Sequence, residues 1–298
     1  MRSRNPSATL SWSSNFPLHC GGDETPGRRP SRKVDSIMDV TRIRISLFGP
    51  FSFMVRGRQV RFPTRGAERL LAYLLLKRGR PVPRRALAGT LWPDSDDVRA
   101  ARNLNTTLWR VRRTLADQMI QNVRFQSDQV QIATMIDTTE IDVIKFHALA
   151  ANVSRLSGEK RMSAMLQAEG LYTGDLLEGF DDEWVVPERA ATRTQYVSIL
   201  SHLVDASLTS EEYAQGLTYA GKLVAMDPLN EEGHRAVMLL SFLSGNRSGA
   251  LAHYRQLKLL LNAELGVEPS RETIDLWSHI QSGGSDSGML RRSVIVGR

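Results

Sequence analysis

A disulfide framework is excluded at the outset, because Cys20 is the only cysteine in 298 residues. Cys and His residues at the spacing of a zinc site are also missing, so no metal and no cofactor is expected. Long apolar runs are absent. The densest, residues 70–76, is flanked by Arg69, Lys77 and Arg78 and falls well short of the about 18 residues that mark a membrane crossing. Near the start, Leu10, Trp12, Phe16 and Leu18 are scattered among Ser, Asn and Pro, without the apolar core of a secretion signal. These absences lead to the expectation of a soluble cytoplasmic protein with no membrane partner. Lysine is scarce, with 6 Lys beside 33 Arg, a bias that both a GC-rich genome and phosphate binding produce.

What is present suffices for two ordinary domains with two cores, given the length and an apolar share of 41%. Charge divides the chain. Residues 1–133 hold 24 Lys/Arg against 10 Asp/Glu, a net of +14, whereas residues 134–298 hold 15 against 22, a net of −7. Either the first half alone meets a polyanion, or the charges are solvated surface.

Residues 1–36 are rich in Ser, Arg, Pro and Gly without helical or strand period, and a disordered leader is expected over 1–41. Met38 stands just before the first periodic segment and is a candidate translation start. From 43 to 62, Ile43, Ile45 and Leu47, then Phe51, Phe53 and Val55, alternate around a turn at Arg56 and Gly57, which predicts a small antiparallel sheet. Thr64 offers an N-cap to a helix reaching about 78, with Leu70, Leu71, Leu74 and Leu75 inward. A second helix over 84–91, a third over 98–115, and a hairpin over 123–132 turning at Ser127, Asp128 and Gln129 complete the order of a winged helix.

Beyond 142 the pattern is helical, over 142–153, 163–172, 187–207, 211–226, 231–244, 248–261 and 270–281. Tyr213, Gly216 and Ala220 are loosely answered by Gly249, Ala250 and Tyr254, close to the period of about 34 residues of a tetratricopeptide unit. Residues 282–298 are expected to form a flexible tail. The predicted fold is mainly α with small β-sheets, an N-terminal winged helix-turn-helix over 42–134 followed by an all-α tetratricopeptide-like domain over 140–281.

The third helix carries the functional signal. Leu104, Leu108, Val111 and Leu115 recur at spacings of 4, 3 and 4, one stripe that must face the core. Arg99, Arg102, Thr106, Arg110 and Arg113 then project from the other side, with Asn103 and Trp109 at its edges. That face holds no acid, whereas a solvated helix commonly mixes both signs. In a major groove, Arg pairs with guanine, Asn with adenine, and a Thr methyl meets the thymine methyl. Arg99, Arg102, Asn103 and Thr106, toward the helix N-terminus, are the base-reading candidates, and Arg110, Arg112 and Arg113 the phosphate-holding ones. Trp109 either donates its indole N–H to phosphate or packs against the sheet or a neighbouring helix. Arg124, taken to lie near the hairpin tip, reaches the adjacent minor groove or backbone, or is simply exposed. Arg65, Arg69, Arg84 and Arg85 are further candidates for backbone contacts.

The runs ISLFGP at 45–50, LWPD at 91–94 and NLNTTLWRVRRTL at 103–115 resemble the OmpR-type winged helix of SARP-family antibiotic regulatory activators. FDDEW at 180–184, MDPLNEEGHRA at 226–236, GNRSGAL at 245–251 and ELGVEPS at 264–270 are similar to their bacterial transcriptional activator domain. The resemblance implies a dimer on promoter direct repeats of double-stranded DNA, recruitment of RNA polymerase holoenzyme, and a nucleoid-associated protein controlling antibiotic genes. It also gives Asp94, Asp96 and Asp97 a role as polymerase contacts, beside their alternative as an N-cap and first-turn acids.

Two rival readings compete with this one. An enzyme would need more than Asp181, Asp182 and Glu183, adjacent acids expected to form a solvated loop, and the six His residues show no nucleophile or metal spacing, so no catalytic residue is assigned. A helical interaction scaffold accounts for the second half and leaves the basic helix unexplained.

Overall fold

The computed structural model describes residues 43–121, 123–128, 131–135 and 141–283. The expectations for the leader, Cys20, Met38, Gln129 and the tail past 283 lie outside the described residues.

Strands β1 (Ile43–Ser46), β2 (Ser52–Val55) and β3 (Arg58–Gln59) form an antiparallel sheet with β2 in the middle. Alternation sets its inner face, where Ile45 is paired with Phe53 and both are buried. Arg56 and Gly57 turn the hairpin with φ of 51° and 73°, positive at both positions as a twisted two-residue turn requires. Helix α1 (Arg65–Leu76) follows, its first turn capped by the Thr64 hydroxyl, which accepts from the Ala67 amide at 3.3 Å.

A strand absent from the sequence reading comes next. Strand β4 (Val82–Pro83) is two residues long, too short to show a period, and Val82 pairs with Ile132. Pro83 lacks an N–H, which suits the edge of the second sheet, whose order is β4, β6, β5. Between β4 and the hairpin of β5 (Arg124–Ser127) and β6 (Gln131–Met135) lie α2 (Arg84–Leu91) and α3 (Asp97–Asp117).

Among the described residues of the second half lie seven helices: α4 (Asp142–Val153), α5 (Gly158–Leu171), α6 (Val185–Thr209), α7 (Tyr213–Met226), α8 (Glu231–Leu243), α9 (Arg247–Leu265) and α10 (Arg271–Ser282). The Oδ1 atoms of Asn230 and Asn246 accept from the Gly233 and Gly249 amides at 3.1 Å and 2.9 Å, capping α8 and α9. Helix α9 outruns its predicted end because the chain leaves it only at Gly266, with φ of 68°. Helix α5 starts before its predicted start, in a polar first turn that carries no apolar period. A Cβ on Gly216 would lie 2.8 Å from a Leu240 methyl and 3.0 Å from Ser207 Cβ, so this glycine sets the close approach of α6, α7 and α8.

Length led to the expectation of two cores. Among the described residues the buried side chains instead form one cluster reaching from Ile43 to Ile280. The junction explains this. The Asp142 carboxylate, at the start of α4, accepts from the Leu47 amide at 2.9 Å, the Phe48 amide at 3.2 Å and its own helix's Val143 amide at 2.7 Å. Burial pushes this carboxyl above its usual range, and the amides oppose the push. The segment 173–184 straps the same sheet: Leu177 donates to the Leu47 carbonyl at 2.7 Å and Glu178 to that of Gly49 at 2.9 Å. Arg189 of α6 holds the strap from behind, donating to the carbonyls of Leu176, Leu177 and Phe180. Phe48 meets Phe146 edge to face at 5.3 Å, and Tyr73 meets Trp184 likewise at 5.0 Å.

Three expectations change here. The acidic segment at 181–183 is not uniformly solvated: the Asp181 side chain is 96% exposed, but that of Asp182 is only 6% exposed and forms an ion pair with Arg69. Arg69 is thereby occupied within the fold, and Arg65 donates to the Gly179 carbonyl. Neither is set aside for a backbone phosphate, because the strap, far away in sequence, supplies their acceptors.

Replacing Asp142 with Ala leaves the two amides of the β1–β2 loop without their acceptor, at about 1–3 kcal/mol for each buried donor left unsatisfied. The urea midpoint of Asp142→Ala is expected to fall by an amount equivalent to about 3 kcal/mol, with Asp142→Asn in between. A midpoint equal to the wild type would show that the junction does not depend on this carboxylate.

Two histidines read as scattered are brought together: His234 Nδ1 lies 2.9 Å from His253 Nε2, and His234 Nε2 lies 2.9 Å from the Pro228 carbonyl. A carbonyl only accepts, so Nε2 of His234 carries the proton, and in the neutral pair His253 Nε2–H donates to Nδ1. Burial and the neighbouring His234 hold His253 down to about 4. A folded pKa below the unfolded value of about 6.5 stabilises the fold above that pH, and the stability is lost as pH falls from there toward 4. Thermal midpoints should drop over this interval, and His253→Gln, whose amide still donates to His234, should flatten the drop. Parallel curves for the two chains would count against His253 as the cause.

Candidate nucleic-acid interface

Helix α3 begins at a capped turn. The Asp96 carboxylate accepts from the Arg99 amide at 2.8 Å, and Asp97 forms an exposed ion pair with Arg85 at 2.8 Å. Asp94 is exposed in the preceding loop and has no side-chain partner among the described residues. The buried stripe contains Leu104, Leu108, Val111 and Leu115, as the spacing requires, and adds Ala100 and Thr107. Its burial fixes the opposite face toward solvent.

On that face Arg99, Arg102, Thr106, Arg110, Arg112 and Arg113 are all exposed, whereas Asn103 is half-buried at the edge. The guanidinium groups of Arg99, Arg102 and Arg110 have no partner among the described residues. Arg113 does: its Nε lies 3.0 Å from Asp117, one turn on. The expectation of an acid-free face therefore fails at its C-terminal end, because the helix runs two residues past 115 and adds that carboxylate. Arg112 donates to the Phe125 carbonyl at 3.4 Å, tying α3 to the hairpin.

Trp109 is 63% exposed, so packing against the sheet does not account for it. At about 100° per residue Val98, 70% exposed, falls on the same side of α3, giving the basic row two apolar members. Arg124 is not near the hairpin tip. It is the first residue of β5, paired with Met135 at the end away from the turn, and its Nε donates to the Gln121 carbonyl at 3.2 Å.

The sequence reading passed over Asn105. It borders a cleft of about 460 Å³ whose other walls include Trp109 and Arg112 of α3, Arg84 of α2 and Ser127 of β5. Arg84 donates to Ser127 Oγ at 2.8 Å and also to Asn105 Oδ1, joining the hairpin to α3. This removes Arg84 from the free cations. A guanidinium has donors only, so Asn105 must turn its oxygen inward and present its NH2 group outward. Exposed Asn105 thus turns its NH2 donors toward an incoming molecule while its oxygen is held by Arg84. The signal in the sequence was its place between Leu104 and Thr106, but the identity of its partner depends on the second sheet.

Residues 141–281 match the family model described as the bacterial transcriptional activator domain. Over 238 residues the chain is 26% identical to the transcriptional regulatory protein MoaR1 of Mycobacterium tuberculosis, covering 76% of each. It is 24% identical over 257 residues to the regulatory protein AfsR of Streptomyces griseus, covering 85% of this chain but 26% of that one. These similarities support a SARP-family transcriptional regulator. The solved structure of Mycobacterium tuberculosis EmbR in complex with a low affinity phosphopeptide overlays on 86% of this chain and 70% of that one, with a TM-score of 0.68 at 20% identity. Among the described residues, no helix is long and apolar enough to cross a membrane.

The two faces of α3 should separate in unfolding experiments. Leu108→Ala is expected to cost about 2–5 kcal/mol, the range for a buried leucine, whereas Trp109→Ala should cost less than about 1 kcal/mol. A Trp109 cost as large as that of Leu108 would return this ring to the core.

Proposed function

We propose that the first half is an OmpR-type winged helix and that α3 reads promoter DNA from its major groove. The observation that carries this reading is the row of Arg99, Arg102 and Arg110, exposed and without protein partners on a helix whose opposite face is pinned by Leu104, Leu108, Val111 and Leu115. A cation row without counter-charges is complementary to phosphate and to guanine O6 and N7. Arg99, Arg102 and Thr106 contact base edges, with Asn103 at the margin. Asn105, with its NH2 group outward and its oxygen held by Arg84, reads an acceptor such as purine N7. Val98 and Trp109 supply apolar contact of the kind that suits a thymine methyl. Arg110 and Arg112 hold phosphates, as does Arg113 once it leaves Asp117, an exposed pair worth little.

By its resemblance to SARP-family activators, the protein is proposed to act in the cytoplasm as a dimer on direct repeats and to activate by recruiting RNA polymerase, with an antibiotic gene cluster as the expected target. Of the three acids assigned to polymerase, Asp94 leads, since Asp96 is engaged in the helix cap and Asp97 with Arg85.

A binding site selected from random duplexes allows the reading to be tested. Arg102→Ala and Thr106→Ala should reduce discrimination between selected and random DNA, by about 1–3 kcal/mol where a bidentate pair is lost. Arg110→Ala should weaken all duplexes alike and lower the salt slope by about 1. Asn105→Asp, which keeps an acceptor for Arg84 but loses the donors, should abolish sensitivity to a 7-deazapurine at one base step. Weak binding indifferent to sequence would favour a protein-interaction scaffold instead.

A further inference from the structure

Away from α3, two cavities of about 230 Å³ and 340 Å³ share Arg161 and His202 in their walls. They are thus parts of one groove, bounded by the end of α4, the first half of α5 and the second half of α6. Apolar side chains dominate its depth: Val153, Met165 and Ile199 are buried, and Met162 is half-buried beside them. Its size is that of a site for a small molecule, and its two methionines can adjust to an irregular apolar body.

Arg161 is one of the few described residues with a buried side-chain donor left unsatisfied, and the only one of them in the wall of this groove. Its Nε is buried and has no hydrogen-bond partner, and none of the ion pairs among the described residues includes it. Nearly all buried donors in folded proteins are satisfied, and an exception at a cavity wall marks a missing acceptor. The planar fork of a guanidinium matches the two oxygens of a carboxylate. A dianion is disfavoured, because Asp205 also lines the larger cavity and opposes a second negative charge.

We propose that this groove binds a small organic carboxylate with an apolar body, its charge on Arg161 and its apolar part over Val153, Met162, Met165 and Ile199. The site is independent of the DNA-reading face. It is nonetheless built on the helices that hold the first half, since α4 starts at Asp142 and α6 carries Arg189.

Titration calorimetry on the full chain, with octanoate, octanol and inorganic phosphate as probes, tests the proposal. Octanoate should bind saturably at one site, with octanol and phosphate each at least tenfold weaker. Arg161→Met, which keeps the apolar stem, should weaken octanoate at least tenfold, and Arg161→Lys less. Ser198→Trp, a change at an exposed position on the groove wall, should block it, so the test survives even where Arg161→Met fails to fold. No saturable octanoate binding, binding unchanged in Arg161→Met or Ser198→Trp, or equally tight octanol or phosphate overturns the proposal. None of these results bears on duplex binding, so the two readings fail separately.

Discussion

Two amides of the β1–β2 loop and one of α4 converge on the carboxylate of Asp142, and the relation between the two halves of the chain depends on that convergence. A carboxylate offers enough lone pairs to satisfy all three donors, and it lies where the positive end of α4 favours negative charge. The strap at 173–184 completes the arrangement by lending backbone to the same sheet, and Arg189 satisfies its carbonyls from the other side. A separate core for each half would leave these polar groups to water. Joined, they seal one continuous apolar cluster.

That rigidity matters for α3. A reading surface needs side chains whose direction is fixed by something other than the ligand. The buried stripe from Ala100 to Leu115 fixes the rotation of the helix, the Asp96 cap fixes its start, and Arg84 ties it to the hairpin through Asn105 and Ser127. What is left exposed is a row of arginines with few internal partners, interrupted by Thr106, Trp109 and Val98. The same economy marks the junction, where Arg65 and Arg69 are spent on the strap. Position among partners, more than residue type, separates a structural arginine from one open to a ligand.

Much of the fold was legible beforehand, for a physical reason. Periodicity is a local property, and Leu104, Leu108, Val111 and Leu115 announce a buried face whatever they pack against. Thr64 as a cap and Arg56 and Gly57 as a turn depend likewise on residues near them. Strand β4 left no trace because two residues have no period. Arg124 was misplaced by a few residues, which in a hairpin is the difference between tip and base.

The candidate site was legible as a face and not as a set of partners. The amino-acid sequence by itself determined which side of α3 is buried, the concentration of positive charge in the first half and the helical character of the second, because these follow from spacing and composition. Only the tertiary structure decided that Arg69 meets Asp182, that Arg84 orients Asn105, that His253 donates to His234 and that the Arg161 Nε is left without an acceptor beside a groove. Each depends on segments distant along the chain arriving at hydrogen-bonding distance, and no local pattern encodes which donor a folded chain will bring to which acceptor.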